Sequence, residues 1–231
     1  MAREVRGEGS SSPSANLSVI RATRTGAGGE RIELELSDGS CFFVSEPELR
    51  EQGFSPVELI PGLELSREAA GRLEESARRR TVREKALSLL ARAPHTVRSL
   101  KLKLLKRDCE PRAVEEALDW LAVRGYLDDW SFSLQWLESR LQRRPEGRAL
   151  LVSGLIRRGV ARETAEAAVH RLVDAEAERQ CARRALDKLG RQSGISRERL
   201  MKKLKARGFA LPLIREMLAE WREDERGNSQ A

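Results

Sequence analysis

Three groups of cationic side chains carry the chemistry available to this sequence. Arg98, Lys101, Lys103, Lys106 and Arg107 form the first; Arg143, Arg144, Arg148, Arg157 and Arg158 the second; Lys202, Lys203, Lys205 and Arg207 the third. A guanidinium presents a planar fork of donors that fits phosphate or carboxylate, and an ammonium presents a compact point charge, so the chemistry is capture of anions. Taken singly, each could equally serve solubility or pair with an acid one helical turn away. Recurrence at the same place in three successive segments favours a shared binding surface.

Residues with bond-making or metal-binding chemistry are scattered. His95 and His170 have no cysteine or carboxylate cluster at ligand spacing. Cys41, Cys109 and Cys181 are odd in number and far apart, which supports neither a disulfide framework nor a zinc site. Gly26, Gly28 and Gly29 are followed by no Gly-Lys-Ser/Thr and no helix, so they read as a hairpin loop, not a phosphate loop. Gly-x-Ser-x-Gly is absent. Asp128 and Asp129 are neighbours in sequence and lack the opposed geometry of an acid/base pair; either is placed to cap a helix opening at Trp130. Phe132 and Trp136 follow at helical spacing and read as packing between helical units, while Trp130 stays open between packing and stacking on bases. The expectation is a protein that is not an enzyme, with no catalytic residues, metal or cofactor.

The elements that must position these cations repeat. Val114, Ala117, Leu118 and Leu121; Ala165, Ala168, Val169 and Leu172; and Ile214, Met217, Leu218 and Trp221 are three stripes at i, i+3, i+4, i+7, each one face of a helix. Upstream, in the same register, stand Leu100 and Leu104, Leu151 and Leu155, Leu200 and Leu204. Between the two halves lie Asp108-Cys109, Gly159-Val160 and Gly208-Phe209, where a helix ends and the chain turns. Cys109 shares its register position with Val160 and Phe209 and so reads as a small buried apolar residue. A period of about fifty residues marks a repeat whose units bury their apolar faces on one another, which predicts a mainly α protein built as an elongated tandem array of three three-helix repeats. The expected helices are 82–93, 96–107 and 111–124; 130–142, 146–158 and 162–174; and 176–190, 196–207 and 211–224.

Upstream the period changes. Arg31-Ile32-Glu33-Leu34-Glu35-Leu36 alternates as a half-buried strand, Ser37-Asp38-Gly39-Ser40 supplies a turn, and Cys41-Phe42-Phe43-Val44 returns, with Leu17–Ile20 as a further strand. A small β-hairpin or meander results. A short helix is possible over Pro56–Leu59, one helix covers Arg67–Arg79, and Thr81-Val82-Arg83-Glu84 reads as a capping box opening the next. The organisation is then a tail (1–15), a β-rich extension (16–65), a linking helix (66–81), repeats over 82–129, 130–175 and 176–224, and a tail (225–231).

Charge is divided as sharply as structure. Residues 1–75 hold 8 Lys and Arg against 14 Asp and Glu, and the remainder holds 35 against 22, within a chain of 231 residues and net charge +7. The helical part is therefore strongly basic, which favours a polyanionic or acidic partner. No apolar run approaches the ~20 residues that span a bilayer, and the first residues lack the apolar core of a secretory signal, so a cytoplasmic protein without membrane association is expected.

Asp128-Asp129-Trp130-Ser131-Phe132, then Arg140, Gly147, Leu155 and Gly159-Val160 resemble the central repeat of the RecX family of recombination regulators. Ala86-Leu87-Ser88-Leu89-Leu90-Ala91-Arg92 and Arg98-Ser99-Leu100 with Leu104 resemble its first repeat, and the likeness covers residues 80–224. The chain departs from the family at Pro94-His95-Thr96, where a basic, serine-containing link is expected, at 109, where a Cys stands for the usual glycine, and in its β-rich extension. The resemblance implies structural roles for Asp128, Asp129, Phe132, Gly147 and Gly159. It further implies a monomeric regulator that lies in the groove of the RecA–DNA filament and inhibits or modulates ATP hydrolysis, strand exchange and repressor cleavage in homologous recombination, DNA repair and the SOS response, with weak non-specific nucleic-acid binding. The alternatives are a direct DNA- or RNA-binding helix-turn-helix-like protein and a helical scaffold for another partner.

Overall fold

A computed structural model describes residues 16–26, 31–190 and 195–228, with backbone alone over 222–228. The tail 1–15, Gly28 and Gly29 of the glycine loop and the last three residues lie outside the described residues. The chain divides into two compact units, one of residues up to 85 with 111–117, the other of 86–110 with 118 onward.

In the first unit, strands β1 (Leu17–Thr25), β2 (Arg31–Leu36) and β3 (Cys41–Ser45) pair antiparallel, and a two-residue strand, β4 (Glu64–Leu65), adds to the free edge of β1. The alternation read in β2 is realised: Ile32, Leu34 and Leu36 are buried while Arg31, Glu33 and Glu35 are not. Gly39, at φ 86°, makes the β2–β3 turn, and Asp38 Oδ1 accepts the Ser40 amide and hydroxyl there at 3.0 and 2.7 Å. The short helix follows β3 at once, as α1 (Glu46–Glu51), and residues 56–58 form turns instead. The chemistry of a helix start explains the difference: Ser45 donates its amide to Glu48 Oε2 at 2.8 Å, and Pro47 sits in the first turn where its missing N–H costs nothing.

Helix α2 runs unbroken over Arg67–Leu90, where two helices were expected. Thr81 is no N-cap; its hydroxyl donates to the Ala77 carbonyl at 2.9 Å, one turn back along the same helix. No Gly or Pro interrupts the segment around it, and Glu68–Arg72, Glu74–Arg78, Glu75–Arg79 and Arg80–Glu84 pair along the helix. The Thr-x-x-Glu pattern is thus an i,i+4 paired surface rather than a cap. Ala70, Leu73 and Ala77 of α2 close the core of the sheet against Leu34, Val44 and Leu49.

Three three-helix repeats follow. The first consists of the end of α2, α3 (Val97–Leu105) and α4 (Pro111–Val123). The second holds α5 (Asp129–Arg143), α6 (Arg148–Ile156) and α7 (Arg162–Leu172); the third holds α8 (Ala175–Gly190), α9 (Arg197–Ala206) and α10 (Leu211–Asn228). Helix α10 thus extends into the segment read as tail. Leu100, Leu104, Val114, Leu121, Leu151, Leu155, Ala165, Val169, Leu200, Leu204, Ile214 and Leu218 are all buried, so the stripes do face a core. The turn between the second and third helix carries a left-handed residue in every repeat: Asp108 at φ 57°, Gly159 at 96° and Gly208 at 84°. The residue standing for the usual glycine is therefore Asp108, while Cys109 is buried beside it like Val160 and Phe209.

Candidate functional site

In the second unit, the start of the middle helix of one repeat plugs into the next, and both junctions use the same register positions. At the first, Thr96 caps α3: its hydroxyl accepts from the Ser99 amide at 3.1 Å and donates to the Arg158 carbonyl at 2.7 Å. The amide of Val97, next in sequence, donates to Asp129 Oδ1 at 2.9 Å. At the second, the Gly147 amide donates to the Arg207 carbonyl at 2.9 Å, and the Arg148 amide to Glu178 Oε1 at 3.2 Å. Position for position, Thr96 answers to Gly147, Arg158 to Arg207, Asp129 to Glu178. The left-handed glycine lies under each plug. A Cβ on Gly159 would stand 2.8 Å from Arg98 Cβ, and one on Gly208 would stand 2.4 Å from the Leu150 nitrogen.

This divides the Asp-Asp pair. Asp128 caps its own helix, accepting from the Trp130 and Ser131 amides and from the Ser131 hydroxyl at 2.6 Å. The Ser131 hydroxyl, foremost, holds the Asp128 carboxyl below its ordinary value. Asp129 caps a helix of the preceding repeat, and burial pushes its carboxyl up despite the bond from Val97. Each carboxylate caps a helix start, and the second cap crosses a repeat boundary that local sequence does not show.

The cations separate into held and free. Arg148 lies 3.2 Å from Glu178 and donates from Nε to the Val173 carbonyl at 2.9 Å, so it belongs to the junction. Arg158 donates to the Gly154 carbonyl at 2.9 Å and covers the Trp136 ring at 4.5 Å. Trp136 packs within the second repeat, on Gly154, rather than between repeats; Phe132 borders the same core and also lines the cleft at the first junction with Pro94, Thr96 and Leu102, and Trp130 is exposed. Lys103 Nζ sits 3.2 Å from His95 Nε2; partial burial, then that ammonium, lowers the His95 pKa. Arg98, Lys106, Arg107, Arg143, Arg144, Arg157, Lys202, Lys205 and Arg207 make no ion pair with any described side chain. Arg98 and Arg157 line a cleft of about 600 Å³ at the first junction. Arg143, Arg144 and Arg207 line another, of about 340 Å³, at the second, together with Lys188. Lys188 escapes sequence reasoning because it lies on the first helix of its repeat, outside the clusters on the middle helices. A surface stack of Trp120 and Tyr126, with Arg124 4.1 Å above the indole, likewise leaves no signal in the sequence pattern.

A family model for the first three-helix domain of RecX matches residues 83–121. The regulatory protein RecX of Treponema pallidum (strain Nichols) is 39% identical over 134 residues, 58% of this chain and 81% of that protein. The chain belongs to the RecX family. The RecX protein of Halorhodospira halophila is 35% identical over 160 residues, 67% of this chain and 97% of its own. A crystal structure of regulatory protein RecX superposes with a TM-score of 0.70 at 17% identity, covering 88% of this chain and 99% of that one, and one of RecX from Lactobacillus salivarius gives 0.58 at 18%, covering 62% and 96%. These structures share the fold. The RecX relatives are named regulatory proteins rather than enzymes. Among the described residues no helix is long and apolar enough to cross a membrane.

Proposed function

We propose that this RecX-family chain binds the RecA–DNA filament and modulates the recombinase, ATPase and co-protease activities of RecA. The observation that carries the reading is that cations on or beside the middle helix of all three repeats, Arg98 and Lys106, Arg157, and Lys202 and Lys205 among them, are exposed and pair with no described acid, on a scaffold whose repeats stack by one rule. Such a scaffold holds several charged patches at fixed intervals, which suits a repeating partner better than a small substrate. Basic side chains would then meet acidic surfaces of the filament or the phosphates of its DNA.

The test is a titration into cognate RecA with single-stranded DNA, following ATP hydrolysis. A graded change that saturates near a fixed ratio of this protein to RecA is expected. Unchanged hydrolysis at stoichiometric excess rules the proposal out. Replacing Lys202 and Lys205 with Gln, or Arg98 and Lys106, weakens the effect if these patches form the contact.

A further inference from the structure

We infer that the cleft at the second junction is a binding site for the phosphodiester backbone of single-stranded nucleic acid, formed by Arg143, Arg144, Lys188 and Arg207. These cations come from three elements: the end of α5, the last turn of α8 and the end of α9. None pairs with a described acid. The single carboxylate in the wall, Glu146, is committed elsewhere, accepting from Arg140 Nε at 2.9 Å and Nη2 at 2.7 Å with its own side chain only 7% exposed. Four like charges gathered with no counter-charge among the described residues oppose folding, so their convergence is the mark of a site that an external anion completes.

The scaffold under the cleft is fixed before any ligand arrives. Arg144 ends α5 in extended conformation, Pro145 and Glu146 are buried, and Glu146 is clamped by Arg140. The next amide, Gly147, bonds to the carbonyl of Arg207 at 2.9 Å. Arg143, Arg144 and Arg207 are thus tied to one backbone junction, with only their side chains left to order. A tetrahedral phosphodiester accepts from several directions at once, which suits donors converging from three elements; a carboxylate offers one planar edge. The volume, about 340 Å³, admits one backbone unit of a flexible strand, whereas a duplex presents its phosphates on a rigid convex cylinder. The first junction lacks this convergence, since Arg158, its counterpart of Arg207, is held by Gly154 and Trp136.

The inference concerns nucleic acid alone and is tested without a recombinase. Binding of a fluorescein-labelled oligothymidylate to the full-length protein is measured across salt concentrations, for the wild type and for the combined Arg143→Gln, Arg144→Gln, Lys188→Gln and Arg207→Gln variant. The slope of log affinity against log salt is expected to shrink by about 0.7 for each phosphate the cleft neutralises. Arg143→Lys and Arg207→Lys should keep the slope. Arg171→Ala, which removes an exposed cation of α7 outside the cleft, should leave it unchanged. Lys188→Gln alone, at an exposed position of α8, gives the smaller decrease if the combined variant fails to fold. A slope identical in wild type and variants overturns the site, and so does an equal loss with Arg171→Ala. Loss confined to a duplex probe overturns the single-strand assignment, and displacement of the oligonucleotide by millimolar inorganic phosphate reduces the site to an anion pocket and overturns it as well. The ATPase titration with the same variants is separate: a wild type that leaves RecA unaffected removes the filament reading and leaves the cleft standing, and an unchanged salt slope does the reverse.

Discussion

Gly147→Ala probes the stacking rule most directly, because at this position steric contact can be separated from backbone conformation. Gly147 has φ −81° and ψ 164°, which alanine adopts freely. An added Cβ would stand 2.3 Å from the Gly208 oxygen, 2.4 Å from its carbonyl carbon and 2.6 Å from the Phe209 nitrogen. All three are backbone atoms, so no side chain can swing aside; the second and third repeats must part locally by about 1 Å to restore ordinary contact. That movement breaks the bond from the Gly147 amide to the Arg207 carbonyl, worth about 1 kcal/mol, and overpacking a tight contact adds about 1–3 kcal/mol. The expected destabilisation is about 2–4 kcal/mol, read as a lower urea midpoint with an unchanged m-value. Gly125→Ala is the control. Its φ is 73° and nothing lies within 4 Å of an added Cβ, so it should cost only the ~1–2 kcal/mol of left-handed backbone. Because Arg207 shifts with the junction, Gly147→Ala should also flatten the salt dependence of oligonucleotide binding. A cost below about 0.5 kcal/mol would show that the repeats do not meet as closely as the backbone atoms indicate.

Other perturbations follow from the same contacts. Thr96→Val removes both the acceptor for Ser99 and the donor to Arg158, and should cost about 2 kcal/mol in chemical denaturation, with Thr96→Ser largely restoring it. Glu146→Ala leaves Arg140 facing a vacated site and should cost up to the ~3 kcal/mol of a buried pair; a double-mutant cycle with Arg140→Ala should return part of it, and strict additivity would refute the coupling. Asp129 has its folded pKa raised, so the native state binds the proton more tightly than the unfolded chain, and its contribution to stability falls as pH rises from the ordinary value of 3.8 through the folded value. Asp128 has the opposite sign: its contribution is present above 3.8 and is lost on acidification. Urea midpoints measured from about pH 3 to 7 should therefore rise less steeply in Asp128→Asn and more steeply in Asp129→Asn than in the wild type; superimposable profiles would contradict both assignments.

What the sequence displays and what it conceals differ in range. The apolar stripes are legible because each is set by side chains three or four residues apart, and a threefold recurrence removes the ambiguity of any one. The strand over 31–36 is legible for the same reason, its alternation being a two-residue signal. The boundary at Thr81 misleads because Thr-x-x-Glu serves equally as a cap and as the surface of a continuing helix, and only the absence of Gly or Pro beside it decides between them. Helix α1 escapes notice although Ser45 and Glu48 spell the same motif in its working form. Strand β4 is invisible: two residues carry no period, and pairing with β1 defines it. The roles of Thr96, Asp129 and Glu178 depend on contacts between repeats, so local spacing shows nothing of them until the repeats are laid in register. Lys188 is the same lesson at the candidate site, a lone cation in sequence that the fold brings beside Arg143, Arg144 and Arg207.

The register also explains the one left-handed inter-helix turn of the three that lacks glycine. Gly159 and Gly208 answer two demands together: a positive φ, and room for the helix start of the preceding repeat, which would meet a Cβ at 2.8 Å or less. Asp108 occupies the corresponding turn of the first repeat, at φ 57°, and is exposed. No repeat of this register stands upstream of it in the sequence to plug into it, so only the first demand remains, and aspartate tolerates left-handed backbone better than most residues. The two kinds of position should therefore respond oppositely to the same exchange. Asp108→Gly relieves a modest backbone strain and should leave stability within about 1 kcal/mol of the wild type. Gly159→Asp imposes that strain and also drives a side chain into Arg98, which should cost about 2–5 kcal/mol. Equal effects at the two sites would mean that the turn alone, and not the neighbouring repeat, selects glycine.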